Sequence, residues 1–321
     1  MQDPQPEPKI KVGISSCLLG MKVRFDGGHK HDRYLTETLG RYFEWVAVCP
    51  EVDIGMSTPR ENIRLVGAAA DPRLIAPKSG TDFTGRMKAY AVQRVAALAR
   101  EELHGYILKK DSPSCGMERV RVYDHNNVPQ RSGIGIYARK LLETYPLLPV
   151  EEEGRLNDHR LRENFIERVF AHYRIRQFMN GSPRPGTLVA FHTAHKLTLM
   201  SHSVKHYREL GRLVAESGKG AFSDKLPGYF ALFMEALKLK ATTRKHTNVL
   251  HHILGYFKKK IDSRDKQEIL ELIEQYRNGY LPLIVPVTLL KHHLNRHQVP
   301  WVTSQTYLNP YPAELMLRNF V

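Results

Sequence analysis

Residues 10–20 read IKVGISSCLLG, a short β-branched run that closes on small residues, Cys17 and a turn-forming glycine. A second run of this kind, WVAVC, spans residues 45–49, and a third, YIL, spans residues 106–108. Residues 85–103 carry apolar side chains at the spacing of an amphipathic helix. Strands that alternate with helices are typical of a parallel sheet covered by helices. We therefore predict an α/β first half with a Rossmann-like parallel sheet, including a further helix over 134–142 and a strand over 147–150.

The second half of the chain is predicted to be mainly α-helical. The predicted helices span residues 158–177, 190–213, 226–239, 248–260 and 262–276. Prolines and an acidic run interrupt the helical periodicity between the two halves. We predict a flexible N-terminus over residues 1–8, a first domain over residues 9–153 and a second domain over residues 154–321.

The charge of the chain is large and unevenly distributed. Its 321 residues hold 48 Lys and Arg against 33 Asp and Glu, a formal net charge of +15. Residues 1–150 contribute 22 − 17 = +5 and residues 151–321 contribute 26 − 16 = +10. Such a surplus favours a polyanionic partner, with RNA or DNA ahead of an anionic membrane, although an inert cationic surface is the alternative.

The apolar stretches and the N-terminus bear on localisation. No apolar stretch approaches the roughly 20 residues that a membrane-spanning helix needs. The first residues, MQDPQPEPKIKVG, contain acidic residues and prolines before any apolar run, unlike a signal peptide. We therefore expect no membrane partner and a cytoplasmic location.

Each of the three cysteines follows a predicted strand. Cys17 follows the first predicted strand, Cys49 ends the second, and Cys115 follows the third. Because the carboxyl ends of parallel strands meet at one edge of a sheet, we expect the three thiols to converge there. A sparse, odd number of cysteines argues against a disulfide framework. Three unrelated buried thiols are the alternative, since free cysteine is commonly buried.

Three converging thiolates suit two kinds of metal site. Zinc would need a fourth ligand, such as His29, His31 or water. An iron–sulfur cluster is also held by thiolates, and one with three protein ligands leaves an iron open for Lewis-acid chemistry. The spacing of the cysteines along the chain does not select iron over zinc.

Polar residues flank the second and third cysteines. Glu51 lies two residues after Cys49, where a carboxylate beside a metal can take a proton from an attacking water. Ser112 and Ser114 precede Cys115 and can orient a water or a substrate oxygen. A solvated turn residue and a helix cap are the respective alternatives.

At this point the motifs resemble a known family. SSCLLGMKVRFDGGHK at 15–30, CPEVDIGMSTPRENIRLVG at 49–67, DFTGRM at 82–87 and KKDSPSCG at 109–116 resemble the thiouracil desulfidase family. AHKLTLMSHSVKHYRELG at 194–211, KHTNVLHHILGYFKK at 245–259 and PYPAELMLRN at 310–319 resemble the helical domain of its longer bacterial form, which removes 4-thiouridine from tRNA. The resemblance covers nearly all of residues 9–150 and motifs in the second half.

The resemblance implies a cofactor and roles for particular residues. It implies that Cys17, Cys49 and Cys115 bind a [4Fe–4S] cluster in which one iron is not bound by protein. Glu51 matches the family's acid/base residue and Ser112 its catalytic serine. The first domain would then be an iron–sulfur desulfidase domain, with thiolated tRNA and the iron–sulfur assembly machinery as partners. Arg60-Glu61-Asn62-Ile63 departs from the proline-rich stretch usual in relatives, which puts an inherited role for this loop in doubt.

The basic second half is then predicted to bind tRNA through its phosphates. The candidate residues are Lys196, Lys205, Arg208, Arg212, Arg244, Lys245, Lys258, Lys259 and Lys260. A solvated helix face is the alternative for each of them. His192, His195 and His202 have spacings compatible with a second metal site, but we favour packed or RNA-facing histidines.

The sequence leaves more than one function open. The first hypothesis is the desulfuration of 4-thiouridine in tRNA. The second is the desulfuration of free thiouracil or of 4-thiouridine monophosphate. The third is an RNA-binding protein that contains a metal but catalyses nothing.

Overall fold

A computed structural model of the chain describes residues 9–258 and 260–321. The chain divides into a first unit that ends at Asn157 and a second unit that begins at Asp158. The segment predicted to be flexible, residues 1–8, and the RNA-binding candidate Lys259 lie outside the described residues.

The first unit combines strands with three helices among its described residues. The strands are β1 (Ile10–Ser15), β2 (Phe43–Val48), β3 (Arg64–Val66), β4 (Arg73–Ile75), β5 (Gly105–Leu108), β6 (Val120–Tyr123), β7 (Pro129–Gly133) and β8 (Val150–Glu152). The helices are α1 (Pro50–Asp53), α2 (Thr84–Ala97) and α3 (Ile136–Thr144).

Four strands form the parallel sheet predicted from the sequence. Their order is β2-β1-β5-β8, and every neighbouring pair is parallel. The chain leaves β1 for β2 on one side and later returns to β5 on the other, so the strand order reverses between β1 and β5. Ligands of open α/β sheets bind at such a reversal, beyond the carboxyl ends of the strands.

A second sheet was not predicted. It has the order β4-β3-β6-β7, with an antiparallel strand on each side of a parallel pair. The predicted strand over residues 147–150 begins only at Val150 and runs to Glu152. The predicted helix over residues 85–103 ends as an α-helix at Ala97 and continues as a short 3₁₀ turn.

The second unit is helical, as predicted. Its helices are α4 (His159–Asn180), α5 (Pro185–His202), α6 (Val204–Ala215), α7 (Phe222–Lys238), α8 (Thr243–Gly255), α9 (Ser263–Arg277), α10 (Ile284–His297) and α11 (Pro300–Thr303). Among the described residues, no helix has the length and apolar character needed to cross a membrane.

One helix prediction in this unit was wrong, and one helix was missed. The single helix predicted over residues 190–213 is two helices, because Ser203 has extended backbone and its hydroxyl accepts a hydrogen bond from the His206 N–H at 3.3 Å. Helix α10 was not predicted, since Pro286 interrupts its apolar run. That proline lies in the first turn, where its missing N–H has no intrahelical partner to lose.

Candidate active site

The three cysteines lie just past the carboxyl ends of the central strands. Cys17 is in the 3₁₀ turn that follows β1, and Cys49 stands between β2 and α1. Cys115 lies in the loop that follows β5. Burial raises the pKa of the Cys17 thiol to about 11, and burial likewise raises the pKa of Cys49 and, further, of Cys115. These thiols therefore need a bound cation to become thiolates at neutral pH.

The thiols also influence one another. The Cys49 thiol contributes to the raised pKa of both Cys17 and Cys115, which brings the three groups into one electrostatic neighbourhood. Within the described residues, however, the three sulfur atoms do not all lie within 4.8 Å of one another. A tetrahedral zinc ion with bonds of about 2.3 Å needs its sulfurs only about 3.8 Å apart. At least one pair of the cysteine sulfurs is therefore farther apart than a single zinc ion would hold them.

A glycine fixes the loop that carries Cys115. The Gly135 N–H donates a hydrogen bond to the Gly116 carbonyl at 2.8 Å, which ties the start of α3 to this loop. A Cβ atom on Gly135 would lie 2.5 Å from the backbone of Ser114. Only a residue without a side chain fits there, so the Cys115 loop packs directly on the backbone before α3.

Glu51 is held in place by charged and hydroxyl partners. It lies in the first turn of α1, directly after Pro50, and its side chain is 17% exposed. One carboxylate oxygen pairs with the Arg60 guanidinium, and the other accepts a hydrogen bond from the Ser114 hydroxyl at 3.0 Å. The carboxylate also contributes to the raised pKa of Cys115, second to burial. Glu51 thus belongs to the same neighbourhood as the thiols.

Arg60 is anchored independently of Glu51. Its guanidinium donates to the carbonyls of Val23 at 3.0 Å and of Ser57 at 3.1 Å, and its own N–H donates to the Phe25 carbonyl at 2.8 Å. The side chain is 5% exposed. Arg60 therefore links the loops that follow β1 and β2 and fixes the orientation of the Glu51 carboxylate.

The two serines before Cys115 have different surroundings. Ser114 is fully buried, whereas Ser112 is partly exposed and lines a cleft. The Ser112 hydroxyl accepts hydrogen bonds from the backbone N–H groups of Ser114 and Cys115 and lies 3.5 Å from Glu51. Ser114 is closer to Glu51, but Ser112 is the serine that a molecule in the cleft can reach.

The cleft beside Ser112 is strongly cationic. It has a volume of about 560 Å³ and is also lined by the aromatic rings of Phe25 and Tyr123. One carboxylate, Asp111, stands among the lining residues. The lining cations are Arg24, Lys30, Arg64, Lys109, Lys110 and Arg121. Such a cleft suits an anionic ligand with a planar ring.

The second unit contains a separate groove with cations and aromatic rings. Its volume is about 820 Å³, and its lining includes no carboxylate. The rings of Tyr256 and Trp301 stack with centroids 4.6 Å apart, and Tyr207 lines the same groove. The structure brings four predicted RNA-binding residues together here, namely Lys196, Arg208, Arg244 and Lys245.

The other described RNA-binding candidates do not line this groove. Lys205 is exposed and lies 4.0 Å from Glu209, and Arg212 is exposed on α6. Lys258 is exposed, while Lys260 donates to the carbonyls of His297 and Gln298. Lys245, although it lines the groove, donates to the carbonyl of His202.

The three histidines considered for a second metal are packed side chains. His192 bonds to the Tyr229 hydroxyl at 3.2 Å, His195 to the Phe191 carbonyl at 2.8 Å, and His202 to Glu167 at 2.9 Å. Burial lowers the pKa of His192 to about 4 and that of His195 to about 3. The interpretation of these residues as packed is therefore confirmed.

Some lining residues were not singled out from the sequence. Nothing in the sequence distinguished the lysines of the cleft from the other basic residues of the chain. Two of them nevertheless stand in KKDSPSCG beside the third cysteine. Tyr256 and Trp301 are 45 residues apart, so their stacking was not visible in any local pattern.

Family comparisons match the two parts of the chain separately. Residues 12–153 match the family described as 2-thiouracil desulfurase. Residues 196–312 match a family described as a protein of unknown function, DUF1722.

Individual relatives each match part of the chain. The chain is 32% identical over 165 residues to YbgA of Escherichia coli (strain K12), covering 51% of this chain and 98% of that protein. It is 32% identical over 108 residues to YbbK of Bacillus subtilis (strain 168), covering 32% of this chain and 71% of that protein. A solved structure, the [4Fe–4S]-dependent thiouracil desulfidase TudS, is 30% identical, covering 47% of this chain and 95% of that chain with a TM-score of 0.37.

Proposed function

The chain belongs to the 2-thiouracil desulfurase family, and on that premise we propose that it converts 4-thiouridine in tRNA to uridine and releases sulfide. The family relationship makes the chain a desulfidase of thiopyrimidines. In the proposed reaction, water replaces sulfur at C4: the C=S bond is lost, a C=O bond forms, and the sulfur leaves as hydrogen sulfide. No electron is transferred overall.

The proposed cofactor is a [4Fe–4S] cluster held by Cys17, Cys49 and Cys115. Support comes from the place of the three thiols beyond the carboxyl ends of neighbouring strands of one sheet and from the cluster named for the related TudS. When bound with one iron free of protein ligands, such a cluster supplies an open Lewis-acid position for the soft thiocarbonyl sulfur. The iron–sulfur assembly machinery is accordingly a proposed partner.

The half-buried Glu51 carboxylate beside the cysteine loops carries the proposal. We assign it the role of the base that takes a proton from the attacking water. Arg60 holds the carboxylate, so it keeps its direction without rearrangement when the substrate binds. Ser112, at the wall of the cleft, is assigned to orient the water or the oxygen that forms at C4.

The cationic cleft supports a nucleotide rather than a neutral base as the unit that enters the site. Six cationic side chains against one carboxylate match a phosphate or a phosphodiester. A free thiouridine monophosphate satisfies the same chemistry, so its desulfuration is the second candidate function.

The groove of the second unit favours tRNA over a free nucleotide. A mononucleotide needs only the cleft, whereas RNA presents many phosphates and unpaired bases that stack on aromatic rings. The groove offers cations for the former and the Tyr207, Tyr256 and Trp301 rings for the latter.

The substrate preference tests the proposal directly. Sulfide release should be measured with anaerobically purified, cluster-loaded protein on thiolated tRNA, on 4-thiouridine monophosphate and on free thiouracil at equal concentrations. We expect the highest kcat/KM on thiolated tRNA. A higher kcat/KM on the monophosphate would replace the proposal by the second candidate.

Replacing Glu51 tests the chemistry separately from binding. We expect Glu51→Gln to lower kcat by about 100-fold or more while the visible absorption of the cluster remains. Glu44→Gln, an exposed position on β2, is the matched control. Unchanged loss of 4-thiouridine in the Glu51 variant would remove this residue from the mechanism. Absence of sulfide release from the cluster-loaded, unaltered chain would favour the third hypothesis, RNA binding without catalysis.

A further inference from the structure

Three potential metal ligands meet in the helical unit. Asp265 lies in the first turn of α9, and His293 and His297 lie on α10. Within the part of the chain that the structure describes, this is the group of His, Cys, Asp and Glu side chains whose ligand atoms all lie within 4.8 Å of one another. None of the three belongs to the cationic cleft or to the aromatic groove.

The helix geometry brings the two imidazoles together. His293 and His297 are four residues apart, so they project from the same face of α10. Their rings lie nearly parallel, with centroids 6.0 Å apart. The Asp265 carboxylate approaches from the neighbouring helix, with Oδ2 3.8 Å from His293 Nδ1. The edge of a tetrahedral site with bonds of about 2.0–2.2 Å is about 3.4 Å, so little movement closes this pair around an ion.

His293 has an unsatisfied nitrogen that faces this group. The residue is 2% exposed, and its Nδ1 has no hydrogen-bond partner among the described residues. A buried polar atom without a partner costs about 1–3 kcal/mol, so its retention needs an explanation.

We propose that Asp265, His293 and His297 bind a first-row divalent cation, with zinc as the best match to two imidazoles and one carboxylate. A water would complete the coordination. The ion would join the start of α9 to the end of α10.

Zinc binding to the cluster-loaded full chain tests this proposal. Equilibrium dialysis against Zn²⁺ under anaerobic conditions, followed by elemental analysis, gives zinc and iron per chain together. We expect one zinc per chain with the iron content unchanged, which separates this site from replacement of iron at the cysteines. Zinc should also raise the melting temperature.

Variants identify the ligands. Loss of outer partners alone weakens metal binding by about 10–100-fold, so Asp265→Asn and His297→Gln should each weaken zinc binding by at least about 10-fold. His292→Gln, an exposed neighbour outside the group, should bind zinc as the unaltered chain does. Circular dichroism establishes that each variant is folded, and either of the two ligand variants suffices. Absence of zinc in the unaltered chain, or equal binding by a folded ligand variant, would overturn the proposal.

Discussion

At the level of single residues, Glu51 has partners on both carboxylate oxygens. Arg60 pairs with one oxygen and the Ser114 hydroxyl with the other. A carboxylate held in this way can accept a proton only along directions that its partners leave free. The orientation of the proposed base is therefore set by the protein before any substrate arrives.

Removing Arg60 should destabilise the first unit. Arg60→Ala leaves a largely buried carboxylate without its cation, and we expect a loss of about 3 kcal/mol in the free energy of unfolding. The exposed pair of Arg73 and Asp82 is the matched control, for which Arg73→Ala should cost less than about 1 kcal/mol. Urea unfolding of the cluster-loaded chain measures both. Equal costs would mean that the Glu51 pair behaves as a surface pair.

Replacing each of the two serines before Cys115 should have a different effect, one on turnover and one on stability. Ser112→Ala should lower kcat by about 100-fold, because it removes a hydroxyl that reaches the cleft. Ser114→Ala should instead lower stability by about 1–3 kcal/mol, because it deprives a Glu51 oxygen of its donor. Sulfide release and urea unfolding of both variants measure this. A larger loss of kcat in the Ser114 variant would exchange the two roles.

The sequence predicted the members of this site better than their contacts. The three cysteines were predicted to converge because each stands at or after the end of a predicted strand. Glu51 was predicted as a site residue because it lies two residues after Cys49. The pairing of Arg60 with Glu51 could not be predicted, because it depends on a loop path anchored to the carbonyls of Val23 and Ser57. Arg60 also begins the stretch that departs from the family pattern, so this chain uses the departing loop to hold its carboxylate.

At the level of elements, a single hydroxyl separates α5 from α6. The Ser203 side chain accepts from the His206 N–H and also bonds to the His206 ring at 2.7 Å. We expect Ser203→Ala to lower the free energy of unfolding by about 1 kcal/mol, and Ser203→Asp to retain most of it. Thermal unfolding compares the two. Equal stability of the alanine variant and the unaltered chain would show that the cap contributes nothing.

Buried histidines should make the second unit sensitive to acid. Burial lowers the pKa of His192 to about 4, and that of His195 and His246 to about 3, from 6.5. Between these values the unfolded chain binds more protons than the folded chain, so stability falls as the pH drops below 6.5. Each histidine contributes about 1.4 kcal/mol per pH unit within that window.

A variant at one buried histidine tests this pH dependence. Urea unfolding between pH 6.5 and pH 4.5 gives the slope of unfolding free energy against pH, and His195→Gln should reduce it by up to about 1.4 kcal/mol per pH unit. His251→Gln, at an exposed position on α8, is the control and should leave the slope unchanged. A slope that does not respond to His195→Gln would contradict the assignment.

The second sheet shows why some elements escaped prediction. Strands β3 and β4 are three residues each, too short to produce a periodic pattern. Strand β7 reads PQRSG and has little intrinsic strand propensity. It forms because its residues pair with β6, a contact that exists only in the folded unit. Tertiary pairing, rather than local sequence, makes these strands.

At the level of the whole molecule, cationic side chains gather on two kinds of surface. The cleft of the first unit collects cations around the proposed reaction centre, and the groove of the second unit collects cations around stacked aromatic rings. The sequence predicted an excess of positive charge in the second half. It could not predict the groove, because the aromatic rings that line it come from distant parts of the chain.

The salt dependence of tRNA binding should show whether the groove of the second unit contacts RNA phosphates. Arg208→Ala together with Arg244→Ala should weaken binding and reduce the slope of log K against log salt by about 0.7–0.9 for each lost phosphate contact. Turnover of 4-thiouridine monophosphate should be unchanged. Arg277→Ala, which removes an exposed cation paired with Glu274 on α9, is the control. An unchanged slope in the double variant would exclude the groove as the RNA-binding surface.

The positions of the three cysteines have a consequence for how the protein matures. Residues 17, 49 and 115 lie on loops that come together only after β1, β2 and β5 have paired. No short peptide segment of this chain carries more than one of the three thiols. On the proposed function, a ribosome must complete more than a third of the chain, and its sheet must fold, before iron can be delivered. Cofactor insertion thus becomes a checkpoint on the folding of the newly made protein.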